Sequence, residues 1–431
     1  MNQIFFAIVL VAFGAAGWRE LSHVPIEGQK TPMEALSAAM IDAAGGSVTL
    51  ALGLVGVMAL FLGLMKVAEA GGLLTIVARL IRPFMTRLFP DVPAEHPAMG
   101  AMILNMSANA LGLGNAATPF GIRAMQELDR LNARPGTATN AMVLFLAINT
   151  SSVTLLPTGV IAIRAAAGSA APAAILPTTL FATVCSTIAA ILAAKLYQRF
   201  FTVGAPDAQE ATIERPWVDG DSAPDVVPDD ARAYPLWVSM LALAAVLALI
   251  PASIVWGRQI SPWIVPGLMV GFLLFGLLRG VRIYEAFVEG ATEGFQVALR
   301  IIPYLVAILV AVGMFRASGA LDAMVDALGA FTGPLGLPAE ALPMALLRPL
   351  SGSGAYGVMT AIIQDPGTGP DSYVGMLVTT LQGSTETTFY VIAVYFGAVQ
   401  VRRMRHALAA ALTADVVAVI AAVAICGFLF S

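Results

Sequence analysis

Nine stretches of this sequence are about as long and apolar as a helix must be to cross lipid. They are Ile4–Trp18, Gly46–Val67, Ala138–Ile163, Ala173–Tyr197, Pro235–Trp256, Pro262–Leu278, Ala298–Phe315, Gly375–Ala398 and Ala407–Phe430. A spanning helix needs about 20 largely apolar residues; the first stretch is short and the rest suffice. Only 12% of residues are charged, against about a quarter in soluble domains, and mean hydropathy is +0.83. With so few charges to cover a surface, the expected fold is an all-α polytopic membrane protein whose first partner is the lipid bilayer.

The acidic residues that remain are concentrated. Asp207, Glu210, Glu214, Asp219, Asp221, Asp225, Asp229 and Asp230 face only Arg215 and Arg232 between Phe201 and Ala233. That composition is a solvated linker, and it places domain boundaries at 1–200, 201–233, 234–258 and 259–431. No basic patch exists that would neutralise the phosphates of a nucleic acid. Cys185 and Cys426 lie in apolar runs without metal or redox spacing and read as packing residues. His23, His96 and His406 form no ligand motif and read as surface or interfacial. No cofactor or metal is expected. With no Lys or Arg before Ile4, the first run reads as an uncleaved helix rather than a secretory signal. Leu73–Leu88 sets Arg79, Arg82 and Arg87 among apolar residues, the pattern of a helix lying in the headgroup layer.

The two parts flanking the linker repeat one another. Leu64-Met65-Lys66 with Gly71-Gly72-Leu73 matches Gly313-Met314-Phe315 with Gly319-Ala320-Leu321. Met106-Ser107 matches Leu350-Ser351. Ala141-Met142 and Asn149-Thr150-Ser151-Ser152-Val153-Thr154 match Gly375-Met376 and Gly383-Ser384-Thr385-Glu386-Thr387-Thr388, at an ungapped offset of 234. Membrane transporters are commonly built from such repeats, with the site at their interface. Pro235–Trp256 has no counterpart, so if each half crosses an even number of times the halves are inverted. That count turns on two Gly/Ser-rich stretches, Pro97–Met125 and Leu342–Ile363. Read as re-entrant hairpins, they give inverted repeats.

Four polar stretches fall where their flanks are lipid-soluble. They carry Asn105, Ser107, Asn109 and Asn115; Asn149, Thr150, Ser151 and Ser152; Arg348, Ser351 and Ser353; and Gln382, Ser384, Thr385, Glu386 and Thr387. Gly and Pro in these stretches weaken helices, and broken backbone at membrane depth survives only against protein or a water-filled cavity. Half-helix ends then offer bare backbone groups to a ligand. Any one of these residues reads equally well as helix packing. Their recurrence at matching positions favours a binding site for a small polar solute. Glu386 is the sharpest residue, because a carboxylate within an apolar run is costly and is expected to have a partner; it reads as binding a cation or proton or anchoring a polar substrate, or as forming a structural pair with Arg348 that holds two broken helices together. Asp415, two turns into the last run, reads as lying near the headgroups. No Gly-x-Ser-x-Gly elbow or His-Glu-x-x-His motif is present, so no enzyme is expected.

Two long strings resemble a known family. Asn105-Met-Ser-Ala-Asn-Ala-Leu-Gly-Leu-Gly-Asn-Ala-Ala-Thr-Pro-Phe120 and Asn149-Thr-Ser-Ser152 resemble the spore maturation protein A family. Tyr284-Glu-Ala-Phe-Val-Glu-Gly290, Ile302-Pro-Tyr304, Arg348-Pro-Leu-Ser-Gly-Ser-Gly354 and Gln382-Gly-Ser-Thr-Glu-Thr-Thr-Phe-Tyr390 are similar to the spore maturation protein B family. The resemblance implies a fusion of two proteins, each with a "Gate" or nucleoside-recognition domain, in a bacterial inner membrane. It implies architecture more firmly than ligand. The leading expectation is a transporter-like protein for a small polar solute. The alternatives are a non-transporting scaffold or regulator of envelope maturation and, more remotely, a hydrolase. Homo-oligomerisation is left open.

Overall fold

In the computed structural model the described residues are 2–22, 30–112, 114–201, 234–321, 323, 327, 332–365 and 367–430. The acidic linker and His23 lie outside them. The helices are α1 (Asn2–Leu21), α2 (Pro32–Ala70), α3 (Leu73–Leu88), α4 (Pro97–Ala110), α5 (Gly114–Arg130), α6 (Asn140–Thr150), α7 (Thr158–Ala166) and α8 (Leu176–Tyr197). There follow α9 (Leu236–Leu278), α10 (Ile283–Ala317), α11 (Leu342–Leu347), α12 (Gly352–Gln364), α13 (Tyr373–Ser384), α14 (Thr388–Ala398) and α15 (Ala407–Phe430). Among the described residues no strand is present, and Pro172–Tyr197 and Ala407–Phe430 are each long and apolar enough to cross a membrane unbroken.

Several boundaries follow from local chemistry. Thr31 and Glu34 form a capping box that starts α2, earlier than its apolar run begins, because reciprocal capping satisfies two orphan donors. Thr139 caps Met142 N to start α6, and Ser372 caps Gly375 N to start α13. The basic helix α3 begins and ends where its amphipathic pattern does, and meets the last part of α2 at 69°. Two stretches read as continuous spans are instead broken. Ala138–Ile163 divides into α6 and α7 around 151–157, and Gly375–Ala398 divides into α13 and α14 around 385–387. In both, the Ser/Thr run ends the helix, since its side chains compete for backbone groups. Conversely, the two runs Pro235–Trp256 and Pro262–Leu278 fall in one element, α9. Tyr234 N donates to Arg79 O at one end of α9, and Phe275 lies against Gly71 at the other. A straight helix of 43 residues would span about 65 Å, so α9 is bent back between these neighbouring anchors.

The halves are inverted. Thr178 near the start of α8 bonds Thr380, which also receives Cys426 Sγ from the end of α15. Farther along α8, Ser186 reaches Ala414 O and Tyr197 reaches Thr413 near the start of α15. Equivalent helices therefore run antiparallel. Helices α2 and α10 also run antiparallel, along a seam of glycines. A Cβ at Gly290 would lie 2.5 Å from Leu62 O, and one at Gly294 would lie 2.7 Å from Met58 O. This four-residue glycine spacing lets backbones touch, as membrane helices use it.

Two apolar cores stand at opposite ends of the molecule. One gathers α4, α6, α14 and the start of α15; the other gathers α7, α11, α12, α13 and the end of α15. Each broken span thus has one piece in each core. The breaks lie on the plane between them. His406 was expected at the surface but is 1% exposed, stacked at a tilt on Phe201 beside the first core.

Candidate site at the crossing of the broken helices

All four polar stretches meet on that plane through their backbones. Leu155 N donates to Ala110 O at 2.8 Å, and Phe389 N donates to Pro349 O at 3.1 Å. Residues 155 and 389 are 234 apart, the repeat offset read from sequence, so one bond recurs in both halves. A third bond, Glu386 N to Thr150 O at 2.9 Å, stitches the two broken spans together. These bonds give buried groups freed by helix breakage the partners they require. Gly112 turns the tip of the α4–α5 hairpin with φ +75, and a side chain there would collide with Leu156 O.

Both Gly/Ser-rich stretches are hairpins. Asn105 Nδ2 donates across to Ala117 O at 2.7 Å, setting α4 and α5 antiparallel. On the opposite side, Tyr373 OH donates to Gly336 O and Thr368 Oγ1 to Ile362 O, so α11 and α12 enter and leave at the end where α13 begins. The sequence pairing of Ser107 with Ser351 does not survive. Ser107 sits inside α4 and donates back to Ile103 O, whereas Ser351 caps α12.

The junction of the first half is neutral. Asn149 Nδ2 donates to Phe145 O, and its Oδ1 accepts from Asn109 Nδ2 at 2.9 Å and from Tyr395 OH at 3.4 Å. Asn105 Nδ2 also reaches the Tyr395 oxygen at 3.1 Å. Tyr395 comes from the second half and stacks on Phe145 at 6.1 Å. Its approach passes over Gly121, where a side chain would strike its hydroxyl. Side-chain geometry at Asn115 lies outside the described residues.

The junction of the second half is built from titratable side chains. Arg348 is 6% exposed; its Nη1 donates to Thr387 Oγ1 at 3.1 Å and its Nη2 to Thr385 O. The expected pair forms, with Nη2 3.7 Å from Glu386 Oε2, and the Glu386 side chain is half exposed. Asp415 is 6% exposed and takes a 2.7 Å bond on Oδ2 from Thr388 Oγ1. The helix break swings Thr388 towards α15 and draws the carboxylate inward. A small cavity lies between Arg348, Leu381, Ser384, Thr385, Asp415 and Val419, with ≈ 10 Å³ for the centre of a water molecule, about what one water needs. Of the residues that line it, Arg348 Nε and Asp415 Oδ1 are buried without a hydrogen-bond partner. Such orphans are few in native structures and mark a water or ligand position.

Several expected site residues instead satisfy themselves. Thr150 and Ser151 donate to Ala147 O, and Ser384 to Leu381 O. Ser152 is buried beside them, and Ser353 is part-exposed on α12. Arg164, not singled out by spacing, is fully buried in α7. It binds Asp371 Oδ1 at 2.9 Å, Thr379 Oγ1, Ser169 Oγ and Pro370 O, latching α7 onto the start of α13 in the other half.

Inverted repeats, hairpins entering from opposite ends and two crossed broken helices define a repeat-built membrane protein. The nucleoside recognition (Gate) model matches residues 51–167 and 298–402, and the chain belongs to that family. It is 48% identical to spore maturation protein B of Bacillus subtilis (strain 168) over 166 residues, covering 92% of that protein. It is 46% identical to spore maturation protein A of the same organism over 160 residues, covering 82%. The chain thus joins in one polypeptide what are two proteins there. The crystal structure of the Alcanivorax borkumensis YdaH transporter aligns over 99% of this chain and 97% of its own, at a TM-score of 0.37 and 15% identity, too distant to place any residue.

Proposed function

We propose that this protein is a transporter-like permease of the bacterial inner membrane, binding a small polar solute where the broken helices cross. The observation that carries this reading is the pair of orphaned buried polar atoms on Arg348 and Asp415, which line one small cavity beside a helix break. Binding a polar solute would give those atoms the partners they lack, and broken half-helices are the usual way to present such groups at membrane depth. In this reading Asn109, Asn149 and Gln382 orient the solute by neutral hydrogen bonds and Arg348 anchors it. This reading takes the close-packed junction as a closed conformation, with the Arg164–Asp371 latch at one end.

That close packing also favours a second reading, a scaffold or regulator of cell-envelope maturation in which the junction only holds the halves together. A thermal-shift panel of nucleosides, amino acids, short peptides, muropeptides and divalent cations separates the two. Selective binding to the native state raises its stability. We expect one class to raise the Tm of the wild type and to leave Gln382→Ala unmoved. If no class stabilises the wild type, the scaffold reading replaces the permease.

A further inference from the structure

We infer that Asp415 is a proton-binding residue that competes with Glu386 for Arg348, so that solute binding is linked to one proton. This rests on the permease reading for its meaning but not for its test. Two carboxylates flank one guanidinium in the second junction. Glu386 meets it directly at 3.7 Å, while Asp415 faces it across the cavity. With all three ionised the group carries one net negative charge at membrane depth, which is costly; a single bound cation or proton removes it.

Buried polar atoms distinguish the two. Of the residues lining the cavity, Asp415 leaves one acceptor, Oδ1, and Arg348 one donor, Nε, without a partner. A metal ion would sit against that N–H and the guanidinium charge. A proton on Oδ1 makes the acid neutral, which costs less at a buried site than a carboxylate, while Oδ2 keeps its bond from Thr388. Arg348 then stays with Glu386 and Thr385 O, as in this structure. When the proton leaves, the Asp415 carboxylate pulls the guanidinium away from Thr385 O and loosens the end of α13.

Few other groups bear on Asp415. Arg348 and, behind it, Glu386 are the charged residues of this junction. Helix α8 contributes neutral Ser186 and Tyr197, the latter bonded to Thr413. Helix α13 contributes Ser384 and Thr385, and α14 contributes Thr388 and Tyr395, whose hydroxyl is held by Asn149. No titratable residue occurs in α6.

The test is a pH titration of the purified full chain in lipid nanodiscs, read by the infrared carbonyl band of a protonated carboxylic acid. The wild type should show a band that titrates with pH, and Asp415→Asn should lose it. Glu386→Gln should move the midpoint down by about 1–3 pH units, because Arg348 is then left to Asp415 alone. Thr388→Val, which removes a donor to the ionised form, should move it up and reports on Asp415 even if Asp415→Asn does not fold. A wild type without the band, a band that survives Asp415→Asn, or midpoints unmoved by both Glu386→Gln and Thr388→Val would overturn the proposal. A band abolished by sodium ion at constant pH would also overturn it, in favour of a metal-cation site. Loss of solute binding in the thermal-shift panel, with this titration intact, would remove the permease reading alone.

Discussion

The two junctions share one backbone plan and differ in chemistry. At each, a residue just past a helix break donates to the tip of its own half's hairpin, 155 to 110 and 389 to 349. The first half fills the surrounding space with amides and a borrowed tyrosine hydroxyl. The second fills it with Arg348, Glu386 and Asp415. Repetition supplied the scaffold and divergence supplied the charge. Position 386 shows it best, since its repeat counterpart is Ser152.

Substitutions can break that contrast, and they should not be equal. Arg348→Met should have the largest effect, about 3–5 kcal/mol, because removing one member of a buried charged cluster strands the others; denaturant unfolding in mixed micelles measures it. Gly121→Ala attacks the neutral junction by driving Tyr395 off the two asparagines. Overpacking there should cost about 1–3 kcal/mol by the same measurement. Asn149→Ala removes the hub of the amide network and should cost about 1 kcal/mol per lost bond. A cycle with Tyr395→Phe should show non-additivity, as expected for residues sharing one network. Glu386→Gln should change stability least, by about 0–1 kcal/mol, because its pair is half exposed and at long range. A cost as large as that of Arg348→Met would mean that the pair is structural and the contrast is misdrawn.

Much of this framework was legible in sequence because it is local. The ends of α6 and α13 fall at the repeat offset, α3 occupies its amphipathic stretch, and the Gly/Ser-rich segments form hairpins. Glu386 and Arg348 were paired correctly because each broke a local rule about charge in lipid. What escaped was set by the other half of the molecule. Arg164 is one arginine near a helix end until Asp371, 207 residues away, closes on it. Tyr395 is an ordinary aromatic in an apolar run until Asn105 and Asn149 face it. The Thr388–Asp415 bond was also illegible, because it needs the break before α14 to bring Thr388 against α15. Which Ser/Thr residues bond their own helices was not legible either, since composition does not distinguish a hydroxyl turned outward from one turned back.

The bond from Glu386 N to Thr150 O has a consequence for assembly. A half made alone would leave that donor and acceptor unpaired, Tyr395 without its asparagines and Arg164 without its carboxylate. Neither half is then a self-sufficient folding unit, and each acts as the other's template. Two such halves made as separate polypeptides would first have to find one another. The segment joining them here converts that search into an encounter within one molecule, at an effective concentration set by tether length. A chain cut within 202–233 should therefore assemble as a pair whose yield depends on dilution, while the intact chain folds independently of it.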